Sequence, residues 1–298
     1  MLVHVATTHT TVGTTVADLD QGRLAYRAAG PAISSSPPVV FAHGVLVDGR
    51  LWDGVADRLA ADGIRSYAPT LPLGAHQLPM RPDADLSPRG IAQLILDFIA
   101  ALGLSDVTLV GNDTGGAICQ VLLSADASRI GAAVLTNCDA FDTFPPRAFA
   151  PLFQALRHPA LVACLVPGLR LDAVRHGPLA YGPLSSVPID RALTRDWVQP
   201  LASRDIRRDL AKLARGVHPR VLLDAASRFS QFTREVRIVW GEADPFFRTD
   251  LGRQLSEAFP NATLSTVPAG RTFLPLDHPD VLAREIAAAS RDVVRQDR

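Results

Sequence analysis

Hydrophobic and polar positions along the chain predict an alternation of strands and helices. Short aliphatic runs such as VVFA at residues 39–42 contain no polar position, which is typical of strands buried on both faces. Longer stretches place apolar residues three and four positions apart, as do Ile91, Leu94, Ile95 and Phe98, which is typical of amphipathic helices. This alternation predicts an α/β fold, with a mostly parallel sheet wrapped by helices on both faces.

Eight strands are predicted in all. An antiparallel hairpin is expected from residues 10–19 and 23–28, because Asp20, Gln21 and Gly22 form a turn signal between them. The other predicted strands are residues 39–42, 64–68, 107–110, 131–135, 236–240 and 262–267. Helices are predicted over residues 52–62, 88–102, 117–123, 249–259 and 280–294. Ser87 and Gly103 are expected to cap the second of these helices.

The alternation stops between residues 140 and 232. This region holds ten prolines and short helical patterns such as residues 204–215, without a convincing parallel strand. We interpret it as a helical lid inserted into the sheet. The chain is then divided into a first core part at 1–139, a lid at 140–232 and a second core part at 233–298.

The stretch VTLVGNDTGG at residues 107–116 predicts a strand, a sharp turn and a helix in direct succession. Glycines on both sides let neighbouring backbones approach closely, so the turn can hold Asp113 in a strained conformation with its carboxylate at the sheet edge. This order is that of a nucleophile elbow, with aspartate in place of the usual serine. An aspartate in a glycine turn also occurs without catalysis, but the order of strand, elbow and helix favours a nucleophile.

Composition narrows the function classes. The 298 residues are 47% hydrophobic and 20% charged with a formal net charge of +0, so nothing indicates nucleic acid or an anionic membrane as a partner. Three cysteines without metal-ligand spacing predict neither a disulfide framework nor a metal site, and no cofactor is expected. The first residues resemble no secretory signal. We expect a cytoplasmic protein with a small-molecule substrate, as a monomer or a homodimer.

Four features together resemble the α/β-hydrolase superfamily, specifically its haloalkane dehalogenase and epoxide hydrolase branch. They are HG at residues 43–44 with Trp52 downstream, the elbow GNDTGG, a lid after the sixth strand, and WGEADP at residues 240–245. The resemblance implies that Asp113 attacks carbon to form an ester, which water activated by a His and Asp pair then hydrolyses. It further implies an oxyanion hole from the backbone N–H groups of Val45 and Thr114, and Asp244 as the acid.

The expected histidine is missing. Where relatives carry the general base, this chain has Thr272, which cannot act as a base near neutral pH. His76, in the loop after the fourth strand, and His278, at the start of the last helix, are alternative bases. Asp139, which closes the sixth strand, is a second candidate for the acid, although it also suits a helix cap.

Residues that set specificity in the branch are also missing. Thr114 and Val45 stand where dehalogenases hold the halide, and Tyr181 is the only tyrosine in the lid, where epoxide hydrolases use two. Trp52 and Trp197 are candidates for the pocket wall, although core roles are open for both.

Three functions are compatible with this pattern. The first is a hydrolase that acts through Asp113 on a small apolar substrate with a carbon–halogen bond, an epoxide or an ester. The second is a lyase, isomerase or cyclase in which Asp113 is a base. The third is a ligand-binding or sensor protein without turnover.

Overall fold

A computed structural model describes residues 14–178 and 180–296. Its strands are β1 (Thr14–Leu19), β2 (Gly22–Ala29), β3 (Val39–Ala42), β4 (Ser66–Pro69), β5 (Val107–Asp113), β6 (Ile130–Cys138), β7 (Glu235–Gly241) and β8 (Ala262–Val267). They form one eight-stranded sheet in the order β1-β2-β4-β3-β5-β6-β7-β8. β2 is antiparallel to β1 and β4, and every later pairing in the sheet is parallel. The predicted fold, a mostly parallel eight-stranded α/β sheet, is confirmed.

The hairpin at the start of the sheet follows the prediction where it can be compared. β1 and β2 pair antiparallel with Leu19 opposite Gly22. Residues 10–13 of the predicted first strand lie outside the described residues. The fourth strand starts two residues later than predicted, at Ser66.

The central strand β5 is longer than the sequence predicted. It continues through Gly111 as far as Asp113 and pairs with β6 along its length. Gly111 does not end the strand; a Cβ there would lie 2.7 Å from the Cα of Gly116 and 2.8 Å from Cys119 Sγ. The glycine therefore lets the following helix pack closely against the strand, and that helix begins at Thr114 rather than at residue 117.

The helices outside the predicted lid flank the sheet. They are α1 (Asp53–Ala61), α2 (Pro88–Ala101), α3 (Thr114–Ala125), α10 (Thr249–Ala258), α11 (Leu274–Asp277) and α12 (Pro279–Gln296). α2 begins as predicted, with the Ser87 hydroxyl accepting from the backbone N–H of Gly90, and Gly103 follows its last turn at a φ of +65°. The buried face of α2 includes Ile91, Leu94 and Ile95, which the spacing assigned to the core.

We call residues 140–232 the lid segment. Its helices are α4 (Ala150–Leu156), α5 (Pro159–Leu169), α6 (Asp172–Arg175), α7 (Arg191–Val198), α8 (Arg204–Gly216) and α9 (Pro219–Ala226). The described part of the segment contributes no strand to the sheet, and its one β-type contact is an isolated bridge between Ala140 and Thr143. The lid boundaries themselves stay a prediction.

No single helix within residues 14–178 and 180–296 is long and apolar enough to cross a membrane. One consecutive pair, Arg147–Leu156 and Pro159–Leu169, reaches that length and hydropathy only when both helices are combined, and it is bent by 113°.

Candidate active site

Asp113 lies at the tip of β5, in a backbone conformation that few residues adopt. Its φ of +54° and ψ of −132° are strained for a residue with a side chain. The surrounding glycines make this conformation possible. A Cβ on Gly115 would overlap the Ala42 carbonyl, and one on Gly44 would overlap the Asp113 carboxylate itself. The geometry is that of an elbow, and it brings the carboxylate against the loop that follows β3.

Two backbone N–H groups, those of Val45 and Thr114, lie beside the Asp113 carboxylate and favour its charged form. These are the two groups that the sequence assigned to an oxyanion hole. Burial raises the pKa of Asp113 to about 7; the two N–H donors oppose this shift, and the charge of Asp244 adds to it. Asp113 therefore titrates close to neutral pH.

Asp113 and Thr114 form the polar floor of a cavity of about 310 Å³ between the sheet and the lid segment. Its walls are mostly apolar, contributed by Val45 and Leu46 from the core and by lid residues that include Phe149, Leu152, Phe153, Leu156, Val162, Leu165, Leu169, Val174, Leu184, Val198 and Leu201. A ligand in this space would contact hydrocarbon on most sides and a carboxylate on one.

Asp244 lies in the turn after β7 and is hydrogen-bonded through both carboxylate oxygens. Oδ1 accepts from the backbone N–H groups of Phe246 (2.8 Å) and Phe247 (3.1 Å). Oδ2 accepts from Asn137 Nδ2 (2.8 Å) and from the Thr272 hydroxyl (2.9 Å). Burial raises the pKa of Asp244, and the four donors oppose that shift. The carboxylate is satisfied without a histidine.

Thr272 occupies the position where the sequence expected the base. It is 1% exposed, and its hydroxyl donates to Asp244 rather than pointing freely at the cavity. Its carbonyl accepts from Asn112 Nδ2 at 2.6 Å, a contact that ties this loop to the residue before Asp113. The elbow and the Asp244 turn are thus brought together, with a threonine between them.

Asn137 is a residue of this site that sequence reasoning did not single out. At a φ of +24°, its side chain accepts from the Gly241 backbone N–H (2.7 Å) and donates to Asp244. The available signal was a polar residue at the carboxyl end of β6, beside the strand that carries Asp113.

Asp139 is completely buried beneath the elbow and is not part of the cavity wall. Its Oδ2 accepts from the Thr114 hydroxyl at 3.4 Å, while Oδ1 has no hydrogen-bond partner among the described residues. Burial, together with the nearby charge of Asp113, raises the pKa of Asp139 well above its usual range. The side chain does not contact Asp244, and it caps no lid helix.

The histidines that could have replaced the missing base lie elsewhere. His76 is 3% exposed and pairs through Nε2 with Asp209 of α8 at 3.3 Å, and neither residue lines the cavity. His278 follows α11, and its Nε2 has no partner among the described residues. Neither forms a hydrogen bond with Asp113 or Asp244 in the described structure, and a role for either as the base stays a prediction. His43 accepts from the Leu71 N–H and holds the β3 turn; burial lowers its pKa to about 4.

The aromatic candidates divide between core and cavity. Trp52 is fully buried and stacks on Phe41 with ring centroids 4.7 Å apart, which places it in the core, not in the pocket. Trp197 is also fully buried and packs behind Tyr181 at 5.4 Å, so it supports the wall rather than lining it. Tyr181 does line the cavity, and its hydroxyl donates to the Leu46 carbonyl. That hydroxyl is therefore engaged by the core loop.

The sheet order, the strained elbow and the paired backbone donors define an α/β hydrolase. The family model for the alpha/beta hydrolase family matches residues 39–285, and the chain belongs to this family. Membership supports the expectation of a hydrolase-type enzyme.

Among curated proteins, haloalkane dehalogenase 2 of Mycobacterium bovis is 26% identical over 282 residues, covering 90% of this chain and 92% of that protein. A 2-hydroxy-6-oxononadienedioate/2-hydroxy-6-oxononatrienedioate hydrolase of Dechloromonas aromatica is 23% identical over 199 residues, covering 65% of each. Among solved structures, haloalkane dehalogenase DbeA from Bradyrhizobium elkani superimposes with a TM-score of 0.78 at 18% identity, covering 96% of this chain and 100% of that one. The resemblance to the haloalkane dehalogenase branch is confirmed.

Proposed function

We propose that this chain is an α/β-hydrolase enzyme in which Asp113 attacks a carbon atom of a small apolar substrate and forms a covalent ester. One observation carries the proposal: the Asp113 carboxylate forms the floor of an apolar cavity while the N–H groups of Val45 and Thr114 hold it. A carboxylate placed in this way is oriented for displacement at a carbon atom of a ligand in the cavity.

In the proposed step, one carboxylate oxygen of Asp113 forms a bond to the substrate carbon. The bond from that carbon to its leaving group breaks, and the leaving group keeps the electron pair. Carbon–halogen bonds and epoxides fit this description. An ester fits it when the attack is on its alkyl carbon and its carboxylate leaves, because attack on the acyl carbon would give an anhydride instead. The side chain of Thr114 is directed to Asp139 and that of Val45 is aliphatic, so neither offers an N–H donor to a departing halide. This disfavours simple haloalkanes as the best substrates.

Completing hydrolysis requires water to add to the ester carbonyl, with its proton passing to a base and the alcohol leaving. The N–H groups of Val45 and Thr114 are positioned to stabilise the resulting oxyanion. Thr272 cannot take the proton. We therefore expect ester formation to be faster than ester hydrolysis, so that the covalent enzyme accumulates.

The test is intact-protein mass spectrometry after incubation with panels of haloalkanes, epoxides and activated esters. A mass increase that maps to Asp113 is the expected result, and Asp113→Asn should abolish it. Asp139→Asn is the matched control, because it removes a second buried carboxyl that does not line the cavity. An adduct that survives in Asp113→Asn, or turnover that persists there, would contradict the assignment.

A second candidate function has its own supporting observation. A carboxyl group with a pKa of about 7 is well matched to general acid–base catalysis at neutral pH. Asp113 would then move a proton in a lyase, isomerase or cyclase reaction without forming an ester. Turnover in water labelled with oxygen-18 separates the two functions, because hydrolysis incorporates the label into product or into Asp113, whereas proton transfer leaves both unlabelled.

A further inference from the structure

The lid helix α5 is apolar on every side and yet lies at the surface. Its sequence is PALVACLVPGL, and only Val162 among its residues is fully buried. Leu161 is 45% exposed and Leu165 is 41% exposed. Helices of globular proteins normally show polar residues to solvent, and a helix that is apolar all round is normally covered. Something outside the described chain is expected to cover this one.

Exposed aliphatic side chains continue from α5 onto α6. Leu171 is 61% exposed and Val174 is 44% exposed. Leu165 and Val174 also line the Asp113 cavity, which therefore opens on this side. Leu161 lies one turn before Leu165, so both share one side of the helix. We name these four residues, Leu161, Leu165, Leu171 and Val174, the lid face.

Charge around the lid face is mostly basic. Residues 143–171 contain Arg147, Arg157 and Arg170 and no acidic residue, although the whole chain is neutral. Asp172, between Leu171 and Val174, is paired with the buried Arg175. Arg147 and Arg170 are exposed and flank the apolar helices. Exposed apolar side chains with arginines beside them match the requirements for contact with an anionic lipid surface, where each basic residue near the surface strengthens binding.

We propose that the lid face docks on an anionic lipid surface, with α5 lying in the interface and the cavity mouth turned toward the lipid. A protein partner fits less well, because protein interfaces carry hydrogen bonds as well as apolar contacts. The only side chain of α5 that is not hydrocarbon is the thiol of Cys164. Lipid tails need no hydrogen-bonding partner. The overall composition had predicted no membrane contact, since an average over the chain does not show this local asymmetry.

The test is co-sedimentation of the full chain with phosphatidylglycerol-containing vesicles and with pure phosphatidylcholine vesicles. Wild type should bind the anionic vesicles at least about tenfold more strongly, and about 1 M salt, where the Debye length is near 3 Å, should remove most of that preference. The variant Leu161→Glu with Leu171→Glu should lower binding by about tenfold or more. Neither leucine lines the cavity.

Leu223→Glu is the matched control, because Leu223 is 47% exposed on another lid helix, α9. It should change vesicle binding by less than about twofold, as surface substitutions away from a contact do. Equal binding by the double variant and wild type, or no vesicle binding by wild type, would overturn the proposal. So would a wild-type dimer, seen by light scattering, that the double variant dissociates, because the lid face would then bind a second copy. Binding is measured without substrate, so the result is independent of the chemistry proposed for Asp113.

Discussion

The Asp113 side and the Asp244 side of the candidate active site differ in how complete they are. On one side, Asp113 has its strained elbow and two backbone donors, from Val45 and Thr114, as ester formation requires. On the other, Asp244 has its turn and its hydrogen bonds, but a threonine hydroxyl takes the place expected for an imidazole. In the proposed reaction, the side assigned to ester formation is built mainly from backbone, and the side assigned to water activation depends on one side chain. A single residue therefore separates the two halves of the reaction.

The largest expected effect is from restoring the base. Thr272→His places an imidazole beside Asp244 and near Asp113, and general-base catalysis is worth roughly 10²–10⁴-fold. We expect release of the Asp113 ester to accelerate by about that factor, measured as decay of the adduct in single-turnover experiments. The substitution enlarges a buried residue, so near-UV circular dichroism must show native packing.

Thr272→Val is the matched control for that variant. It keeps the shape of the side chain and removes the hydroxyl that donates to Asp244. Ester formation should stay within a few-fold of wild type, while stability falls by about 1 kcal/mol for the lost hydrogen bond. If Thr272→Val instead stopped hydrolysis that wild type performs, Thr272 would take part in activating water. The statement that the Asp244 side is incomplete would then be wrong.

The next largest effect concerns what Asp244 does without a histidine. Asp244→Ala leaves the donors of Phe246, Phe247, Asn137 and Thr272 unpaired at a buried position. Such losses amount to about 1–3 kcal/mol for each badly unsatisfied group, so we expect a drop of about 3 kcal/mol in the free energy of unfolding. Urea unfolding measures it.

Asp250→Ala is the control for that experiment, because Asp250 is an exposed acid on the neighbouring helix α10. Its effect should be within about 0.5 kcal/mol. The rate of ester formation on Asp113 should change by less than about fivefold in Asp244→Ala, provided the fold is retained. A much larger loss would mean that the two sides act as one unit in the first step.

The pH dependence tests the Asp113 side alone. Only the carboxylate is nucleophilic, and its pKa is raised to about 7, so ester formation should rise about tenfold per pH unit below 7 and level off above it. The same shift affects stability. Because the folded pKa exceeds the unfolded value of about 4, the contribution of Asp113 to stability is lost as pH rises from about 4 through 7.

Asp113→Asn should therefore be more stable than wild type at pH 8. The gain is on the order of 1 kcal/mol for each pH unit by which the folded pKa of Asp113 exceeds its unfolded pKa, and it should disappear near pH 4. Thermal melts at the two pH values provide the measurement. A rate of ester formation that is flat between pH 5 and 8 would show that Asp113 titrates in its ordinary range.

The difference between the Asp113 side and the Asp244 side also separates the features that could be predicted from the sequence from those that could not. The strands and the elbow were predictable because they depend on aliphatic runs and glycines that are local in the chain. The oxyanion donors were named from the resemblance to the hydrolase branch. Asp244 was placed by its position after β7. The surroundings of Asp244 were not predictable, because Asn137 reaches it from β6 and Thr272 from beyond β8. Likewise His76 was assigned near the cavity because its loop lies on that side of the sheet, while its burial against Asp209 depends on how α8 packs.

The smallest expected effect is at Asp139. It tests whether ester formation on Asp113 depends on the carboxyl group buried beneath the elbow. Asp139 is buried with one oxygen unpartnered among the described residues, and burial together with the nearby charge of Asp113 raises its pKa well above the usual range. An amide has nearly the same shape as a neutral carboxyl group, so Asp139→Asn should alter the rate of ester formation by less than about threefold between pH 6 and 8. Thr114 would still hydrogen-bond to the side-chain oxygen. A loss of tenfold or more in the rate of ester formation would show instead that Asp139 exchanges a proton with Asp113 through the Thr114 hydroxyl. Ester formation would then also depend on a side chain that does not line the cavity.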